Sequence, residues 1–191
     1  VLDGGAGADT LAGGDGNDLL RGGAGNDTYV LDGIGDAVDE EGNADPGDLI
    51  RAGFAIDLTL GKYAGIEHVT LTGSAAINAT GDEAGNLLTG NDGANVLDGK
   101  GGADTLAGGK GNDTYVVQNA DDTIVETSTV ATEIDTVFST VDWTLEDLAY
   151  VENLSLIGSG DIAGTGNALK NVLTGNNYAN TLDGGAGADT L

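Results

Sequence analysis

Cysteine and basic residues are what this sequence most lacks. None of the 191 residues is cysteine, which excludes a disulfide-stapled scaffold but leaves the cellular compartment open. Six Lys and Arg stand against 32 Asp and Glu, so the formal net charge is −26. Such a charge argues against binding to nucleic acid, whose phosphates need basic side chains, and against binding to an anionic membrane surface. No stretch contains the roughly 18 apolar residues of a membrane helix, so we expect no membrane insertion.

Aromatic residues and proline are also scarce. Aromatics make up 4% of the chain and the one proline is Pro46, whereas glycine takes 35 positions. High charge with few aromatics favours disorder. The alternative is a chain whose carboxylates bind hard cations, because bound metal removes the repulsion that opposes folding. Composition is consistent with both interpretations, and the spacing of the residues separates them.

A nine-residue repeat runs through the chain. GGAGADTLA, GGDGNDLLR and GGAGNDTYV follow one another from Gly4, Gly13 and Gly22. Glycine takes the first, second and fourth places, where it admits φ > 0 and close backbone approach. Asp or Asn takes the sixth place and an apolar residue the eighth. The last three residues of each repeat form a short strand with its middle side chain inward, so two successive repeats predict one coil of a solenoid.

The repeats form three arrays, at 1–39, 81–125 and 166–191. Connecting β segments, 40–80 and 126–165, lie between them. Asp57–Leu106 and Asp142–Leu191, aligned without a gap, are identical at 26 of 50 positions. The larger unit is therefore an array followed by a connecting segment, and the predicted fold is all-β.

The sixth-place carboxylates predict a metal site along each edge of the solenoid. Carboxylates that are two repeats apart stack one above another, and such stacks repel unless a cation lies between them. Carboxylate and carbonyl oxygens suit Ca²⁺, which takes six to eight oxygen ligands. Zinc or copper would need His or Cys, and the chain has only His68, which we interpret as a surface strand residue.

These repeats resemble the RTX, or haemolysin-type, calcium-binding nonapeptide family, whose repeat reads G-G-x-G-x-D-x-U-x. The resemblance implies a parallel β-roll, or β-solenoid, that binds several Ca²⁺ ions. In that family one turn supplies the carbonyls of its second and fourth residues and its Asp. The turn two repeats later supplies the carbonyls of its first and third residues and its Asp.

Carried onto this sequence, the resemblance implies four main calcium sites and two weaker ones. The ligands are Gly5, Gly7, Asp9, Gly22, Ala24 and Asp27 for one ion; Gly14, Gly16, Asp18, Leu31, Gly33 and Asp36 for another; Asn91, Gly93, Asn95, Gly108, Lys110 and Asp113 for a third; and Lys100, Gly102, Asp104, Val117, Asn119 and Asp122 for a fourth. The weaker candidates place Gly99, Gly101 and Asp104 over Asn86, and Gly184, Ala186 and Asp189 over Asn171.

Some turns depart from the family pattern. Asn takes the sixth place at Asn86, Asn95, Asn171 and Asn180. Those turns either bind Ca²⁺ more weakly or are closed by amide ladders without metal. Leu31 and Val117 replace the first-place glycine, and each strains its turn if that place requires φ > 0.

The resemblance also implies a function. Such proteins leave the bacterial cell through the type I secretion machinery and fold in extracellular calcium, so we expect a secreted or cell-surface module of a larger protein. The alternatives are a surface-layer or adhesive repeat that forms filaments, and an accessory module of a secreted protease, lipase or polysaccharide-modifying enzyme. No acid, base and nucleophile converge in the sequence, so we expect no enzyme activity of the chain itself. Both ends of the solenoid would leave half-built sites, which neighbouring repeats or copies would complete.

Overall fold

Short strands follow the turns of the repeat along the whole chain. The computed structural model describes residues 1–42 and 45–191. The strands are β1 (Leu2–Ala6), β2 (Thr10–Ala12), β3 (Leu19–Ala24), β4 (Thr28–Leu31), β5 (Ala37–Asp39), β6 (Leu49–Ala52), β7 (Ile56–Asp57), β8 (His68–Leu71), β9 (Ala79–Thr80), β10 (Leu87–Thr89), β11 (Val96–Asp98), β12 (Thr105–Ala107), β13 (Thr114–Val117), β14 (Thr123–Val125), β15 (Thr136–Ser139), β16 (Trp143–Thr144), β17 (Asn153–Leu156), β18 (Ala163–Thr165), β19 (Val172–Thr174) and β20 (Thr181–Asp183). A 3-10 helix, Gly61–Tyr63, precedes β8.

Odd-numbered strands build one face of a parallel solenoid and even-numbered strands build the other. β2 to β14 form a seven-stranded sheet of even strands, and β7 to β19 form a seven-stranded sheet of odd strands. Three-stranded sheets complete the faces: β1-β3-β5 on the odd face and β16-β18-β20 on the even face. The predicted all-β parallel β-solenoid is confirmed.

A ladder of apolar side chains fills the space between the two faces. Within the arrays each strand pairs with the strand two repeats later, as in Leu11 beside Tyr29 and Leu97 beside Tyr115. Ten of the twelve eighth-place residues are buried, while Leu182 is half-buried and Leu191 is 65% exposed. Burying one such side chain contributes roughly 1.5–3 kcal/mol, and the eighth place supplies ten of the 26 buried hydrophobic residues in the described ranges.

The connecting segments add their strands to the same sheets through longer coils. Thr28 pairs with Leu49, so this coil is three residues longer than the coils of the arrays. Thr114 pairs with Thr136, which makes that coil four residues longer. Each connecting segment interrupts one face, between β5 and β7 on the odd face and between β14 and β16 on the even face. The opposite face continues without a break at both places.

The larger unit of the sequence spans an odd number of strands. β8 and β17 are equivalent strands of successive units, so one unit contains nine strands. β8 belongs to the even face and β17 to the odd face. Successive units therefore present the same segment on opposite faces. Within the described ranges, no helix has the length and apolar character to cross a membrane.

Candidate metal centre

The nonapeptide turns that begin with glycine and carry aspartate place the sixth-place carboxylate against that glycine. A methyl group in place of the Gly4 hydrogen would lie 2.9 Å from Oδ2 of Asp9, and one at Gly13 would lie 2.8 Å from Oδ2 of Asp18. A real Cβ does not approach an oxygen so closely. The first glycine is therefore required because only hydrogen leaves room for the carboxylate.

The left-handed backbone of the turn lies at the second and fourth places. Gly5 has φ 93° and Gly7 has φ 114°, whereas Gly4 is not among the residues with positive φ. Leu31 and Val117, at the first place, also lack positive φ, so the strain that we considered there does not arise. At the first place glycine therefore provides the close approach without φ > 0.

The carbonyls of the second and fourth places lie in the space between stacked turns. A methyl group at Gly25 would lie 2.6 Å from the carbonyl oxygen of Gly7, and one at Gly111 would lie 2.8 Å from that of Gly93. These glycines thus leave the carbonyl oxygens of the preceding coil uncovered. These carbonyls belong to places in the turn that the resemblance implies as calcium ligands.

A ladder of hydrogen bonds joins the carboxylates of successive coils. In each rung a backbone N–H donates to Oδ1 of the aspartate on the next coil, over 2.6–3.0 Å. The donors are Asp9, Asp18, Asp27, Asn86, Asn95, Asp104, Asp113 and Asn171, and the acceptors are Asp27, Asp36, Asp48, Asp104, Asp113, Asp122, Asp135 and Asp189. Six of these rungs join residues 18 apart, as the two-repeat step predicts, whereas the rungs to Asp48 and Asp135 span 21 and 22 residues and were not predicted.

The second carboxylate oxygen has no protein partner in several of these rungs. Oδ2 of Asp9, Asp27, Asp104 and Asp113 is buried without a hydrogen bond. A buried charged oxygen left unpaired is costly. Unpaired carboxylate oxygens together with the backbone carbonyls of the turns offer an oxygen-only donor set, which fits Ca²⁺. The residues present therefore suit the ion, which would neutralise the stacked charge when bound.

The comparison with known families agrees with this geometry. The model of the RTX calcium-binding nonapeptide repeat matches four copies in this chain, at residues 1–33, 80–115 and 165–191. These ranges cover about half of the chain. The chain belongs to the RTX family. No match was found among curated proteins. The RTX β-roll is a structural calcium-binding module and not a catalytic fold.

Burial perturbs the pKa values of the RTX carboxylates. Burial raises the pKa of Asp104 from 3.8 to about 7, with smaller contributions from Asp122 and Asp82, and the Asn86 N–H opposes the shift. Burial likewise raises the pKa of Asp113 to about 6. The pKa of Asp104 therefore lies near neutral pH and that of Asp113 below it, so both carboxylates take up a proton more readily than an exposed aspartate unless a cation replaces the proton.

The two turns without a first-place glycine satisfy their aspartates internally. Oδ2 of Asp36 accepts the N–H groups of Asp32 and Gly33 at 3.2 and 3.1 Å. Oδ2 of Asp122 does the same with the N–H groups three and four residues before it, both at 3.1 Å. Leu31 at the first place ends β4 and is buried. These carboxylates keep no buried oxygen free, so their RTX sites are the less favourable ones.

Other carbonyls that the RTX pattern implies as ligands already accept hydrogen bonds. The carbonyl of Ala24 accepts the N–H of Gly7 at 2.6 Å, and that of Val117 accepts the N–H of Thr140 at 3.1 Å. The Asn119 side-chain amide donates to the carbonyl of Gly102. A calcium ion at these places would have to share or displace those donors.

Three of the four asparagine turns bridge coils through side-chain amides, and the exception is the turn of Asn86, whose Nδ2 is buried without a hydrogen bond. In the turn from Gly90, Nδ2 of Asn91 donates to the carbonyls of Thr72 and Ala75 at 3.2 and 3.0 Å. Nδ2 of Asn95 donates to the carbonyl of Ile77 at 2.6 Å. The turns at 166–171 and 175–180 repeat the pattern toward the coil that precedes them. Hydrogen bonds from side-chain amides therefore join each of these coils to the coil that precedes it, without metal.

The connecting segments continue the RTX carboxylate ladder, which the sequence analysis missed. The N–H of Asp48 donates to Oε2 of Glu67 at 3.2 Å, and the N–H of Asp135 donates to Oε2 of Glu152 at 2.9 Å. Burial raises the pKa of Asp135 to about 7. The available signal was the alignment of the two larger units, which places Glu67 opposite Glu152, but no nonapeptide surrounds these glutamates.

Proposed function

We propose that the chain is a calcium-triggered folding and stabilising module of a larger secreted bacterial protein. It leaves the cell through type I secretion in an unfolded state and folds in extracellular Ca²⁺. The observation that carries this proposal is the stack of buried carboxylate oxygens without partners, at Asp9, Asp27, Asp104 and Asp113. The chain itself carries out no catalysis.

The acidic charge explains why calcium should favour folding. The net charge is −26, and the ladder places carboxylates on successive coils about 4.8 Å apart. Without a cation, folding brings these charges together and removes them from water, which opposes collapse. Calcium that binds only the folded state shifts the equilibrium by mass action: each site contributes about 2.7 kcal/mol at a concentration 100 times its Kd.

Secretion fits the same equilibrium. A chain that stays expanded at low cytoplasmic calcium can be threaded through a narrow channel, and folding outside then prevents its return. The match to RTX repeats and the acidic charge support this order of events. We therefore place the folded module outside the cell or on its surface.

A calcium titration with scattering and circular dichroism tests the proposal. In EDTA the chain should have an unfolded radius of gyration of roughly 47 Å, and millimolar Ca²⁺ should reduce it below roughly 20 Å, the range of a folded chain of this length. A β-sheet signal near 218 nm should appear over the same calcium range. Mg²⁺ serves as the matched control and should leave the chain expanded, because it demands a regular octahedral site. A radius and spectrum that do not respond to Ca²⁺ would contradict the proposal.

A further inference from the structure

Two carboxylate triads lie where an array passes into a connecting segment. We define the first triad as Asp27, Glu40 and Asp48. Each residue offers one carboxylate oxygen, and the three oxygens lie within 4.8 Å of one another. The second triad is Asp113, Glu126 and Asp135, with the same spacing of oxygens. The two triads occupy corresponding places in the larger repeat, because the first aspartate of each belongs to the same sequence, NDTYV.

The first triad is buried and leaves three oxygens unpaired. Asp27, Glu40 and Asp48 are 0%, 3% and 0% exposed. One oxygen of each takes a protein hydrogen bond: Oδ1 of Asp27 from the Asp9 N–H at 2.7 Å, Oδ1 of Asp48 from the Asp27 N–H at 2.7 Å, and Oε1 of Glu40 from the Tyr29 hydroxyl. The second oxygen of each carboxylate has no partner; these are Oδ2 of Asp27, Oε2 of Glu40 and Oδ2 of Asp48. Each carboxylate is thus held by one oxygen and unsatisfied at the other.

The second triad repeats this arrangement in a more open form. The Tyr115 hydroxyl donates to Oε2 of Glu126 at 2.5 Å, as Tyr29 does to Glu40, and in both triads the tyrosine precedes its glutamate by the same interval. Oδ2 of Asp113 is buried without a partner. Asp135 lines a surface cavity of about 380 Å³, which gives an ion a route from solvent.

Basic side chains do not neutralise the triads. Among the described residues, the ion pairs within 4.0 Å that involve Arg21, Lys100, Lys110 and the N-terminal amine use carboxylates other than those of the triads. Three buried carboxylates without a cation repel one another at the low effective dielectric of a protein interior. The arrangement therefore requires either protons or a bound cation.

We propose that each triad binds one divalent cation, with Ca²⁺ as the ion bound outside the cell, at a site that shares its first aspartate with a nonapeptide cage and takes its other two carboxylates from a connecting segment. Side chains supply the charged ligands here, whereas backbone carbonyls supply most ligands in the cages. The oxygen-only donor set selects a hard cation. The first triad binds more tightly, because all three of its carboxylates are buried and the half-buried Glu126 already accepts the Ser128 N–H at 2.6 Å.

The position of the triads indicates what the ion does. Asp27 immediately precedes β4, Glu40 immediately follows β5, and Asp48 immediately precedes β6. One ion therefore ties together the strand ends of a coil that is three residues longer than those of the arrays. The second triad links β13, β14 and β15 in the same way, in the coil that is longer by four residues. The cation closes each enlarged coil at the edge where a connecting segment replaces the nonapeptide turn.

Counting bound ions tests the triads without reference to activity. Native mass spectrometry in Ca²⁺ would compare the wild-type chain with Glu40→Gln, Glu126→Gln and the double variant. These glutamates lie outside every nonapeptide cage, so the loss of one ion in each single variant and two in the double variant would support the proposal. The control is Glu146→Gln, at an exposed position, and it should keep the wild-type count. Circular dichroism checks that each variant is folded.

The outcomes separate this inference from the proposed function. An unchanged ion count in the folded double variant overturns the triad sites while leaving calcium-triggered folding intact. A wild-type chain that binds no calcium contradicts both proposals. If Glu40→Gln does not fold, Glu126→Gln decides alone, because its glutamate is only partly buried; retention of the full count there overturns the proposal.

Discussion

Asp104 gives the sharpest test of the metal-site assignment, because one substitution should act in opposite directions with and without calcium. The side chain is 1% exposed. Its Oδ1 accepts the Asn86 N–H at 2.8 Å, its N–H donates to Asp122 at 3.0 Å, and its Oδ2 has no partner. Asp104→Asn keeps the shape of the side chain and removes the charge. The ladder already accommodates asparagine at Asn86 and Asn95.

Without calcium, the substitution should stabilise the fold at pH 8. The pKa of Asp104 is raised from 3.8 to about 7, and a difference of about three units corresponds to at most ~4 kcal/mol of cost for the ionised form. Screening by solvent at the edge of the coil reduces this to about 2 kcal/mol. The amide loses part of a charge-assisted hydrogen bond, about 1 kcal/mol. The net gain in the free energy of unfolding is then about 1 kcal/mol.

With calcium, the same substitution should destabilise the protein. Asp104 faces the turn of Asn86 on one side and that of Asp122 on the other, so its charge serves up to two ions. At a calcium concentration 100 times the Kd, the loss of one or two ions removes roughly 3–5 kcal/mol. Asp189→Asn should cost less, because within this chain its rung joins only the coil of Asn171.

Urea unfolding in calcium, and refolding induced by an osmolyte in EDTA, measure the two free energies. Asp121→Asn is the matched control, since Asp121 is exposed and its loss removes the same charge. It should change either free energy by less than about 0.5 kcal/mol. Asp104→Asn acting in the same direction in both solutions, or no more strongly than Asp189→Asn in calcium, would refute the stacked-site geometry.

Three further results are expected. Gly22→Ala should lower the free energy of unfolding in calcium by about 1–3 kcal/mol, because the methyl group collides with the carboxylate of its own turn. Gly160→Ala is the control: its methyl group meets open space, and it should cost less than about 1 kcal/mol in the same urea titration. Asn95→Ala should cost about 1–3 kcal/mol in both calcium and EDTA, since its amide bridges coils without metal, and the exposed Asn177→Ala should be neutral. The metal-free fold should lose stability as pH rises from 5 to 8, because burial raises the pKa of Glu40 to about 7 and the stability that its protonated form contributes is complete only below the unfolded pKa. Osmolyte-induced refolding in EDTA, followed by fluorescence at each pH, measures this, and stability that increases with pH would contradict it.

The sequence predicts those parts of the fold that the nine-residue repeat itself determines. The coil length, the pairing of Leu11 with Tyr29 and the buried eighth place all follow from one nine-residue period, because each turn contacts its own copy two repeats away. The role of the first-place glycine does not follow. Glycine is required there by the volume of the carboxylate in the same turn and not by φ, and a sequence does not distinguish these two reasons.

The triads were beyond the sequence pattern for a different physical reason. Glu40 and Asp48 lie in a connecting segment that has no nine-residue period, and loop length alone sets their distance from Asp27. A shared NDTYV at Asn26–Val30 and Asn112–Val116, followed by a glutamate at the same interval after each tyrosine, was the one available signal. It becomes informative only when the structure shows that the hydroxyl of the tyrosine reaches that glutamate.

The odd number of strands per larger unit has a mechanical consequence for the whole solenoid. Parallel hydrogen bonding is lost on one face wherever a connecting segment enters, between β5 and β7 and again between β14 and β16. With an even number of strands per unit, both losses would lie on the same face and form a line of weak points along one side. With nine strands per unit the breaks in hydrogen bonding alternate between the two faces. An unbroken seven-stranded sheet therefore lies opposite each break. Repulsion between the triads does not explain the alternation, because they lie about 22 Å apart along the axis at ~4.8 Å per coil and the Debye length in physiological salt is only about 8 Å. Continuity of the sheets therefore accounts for the register better than charge does.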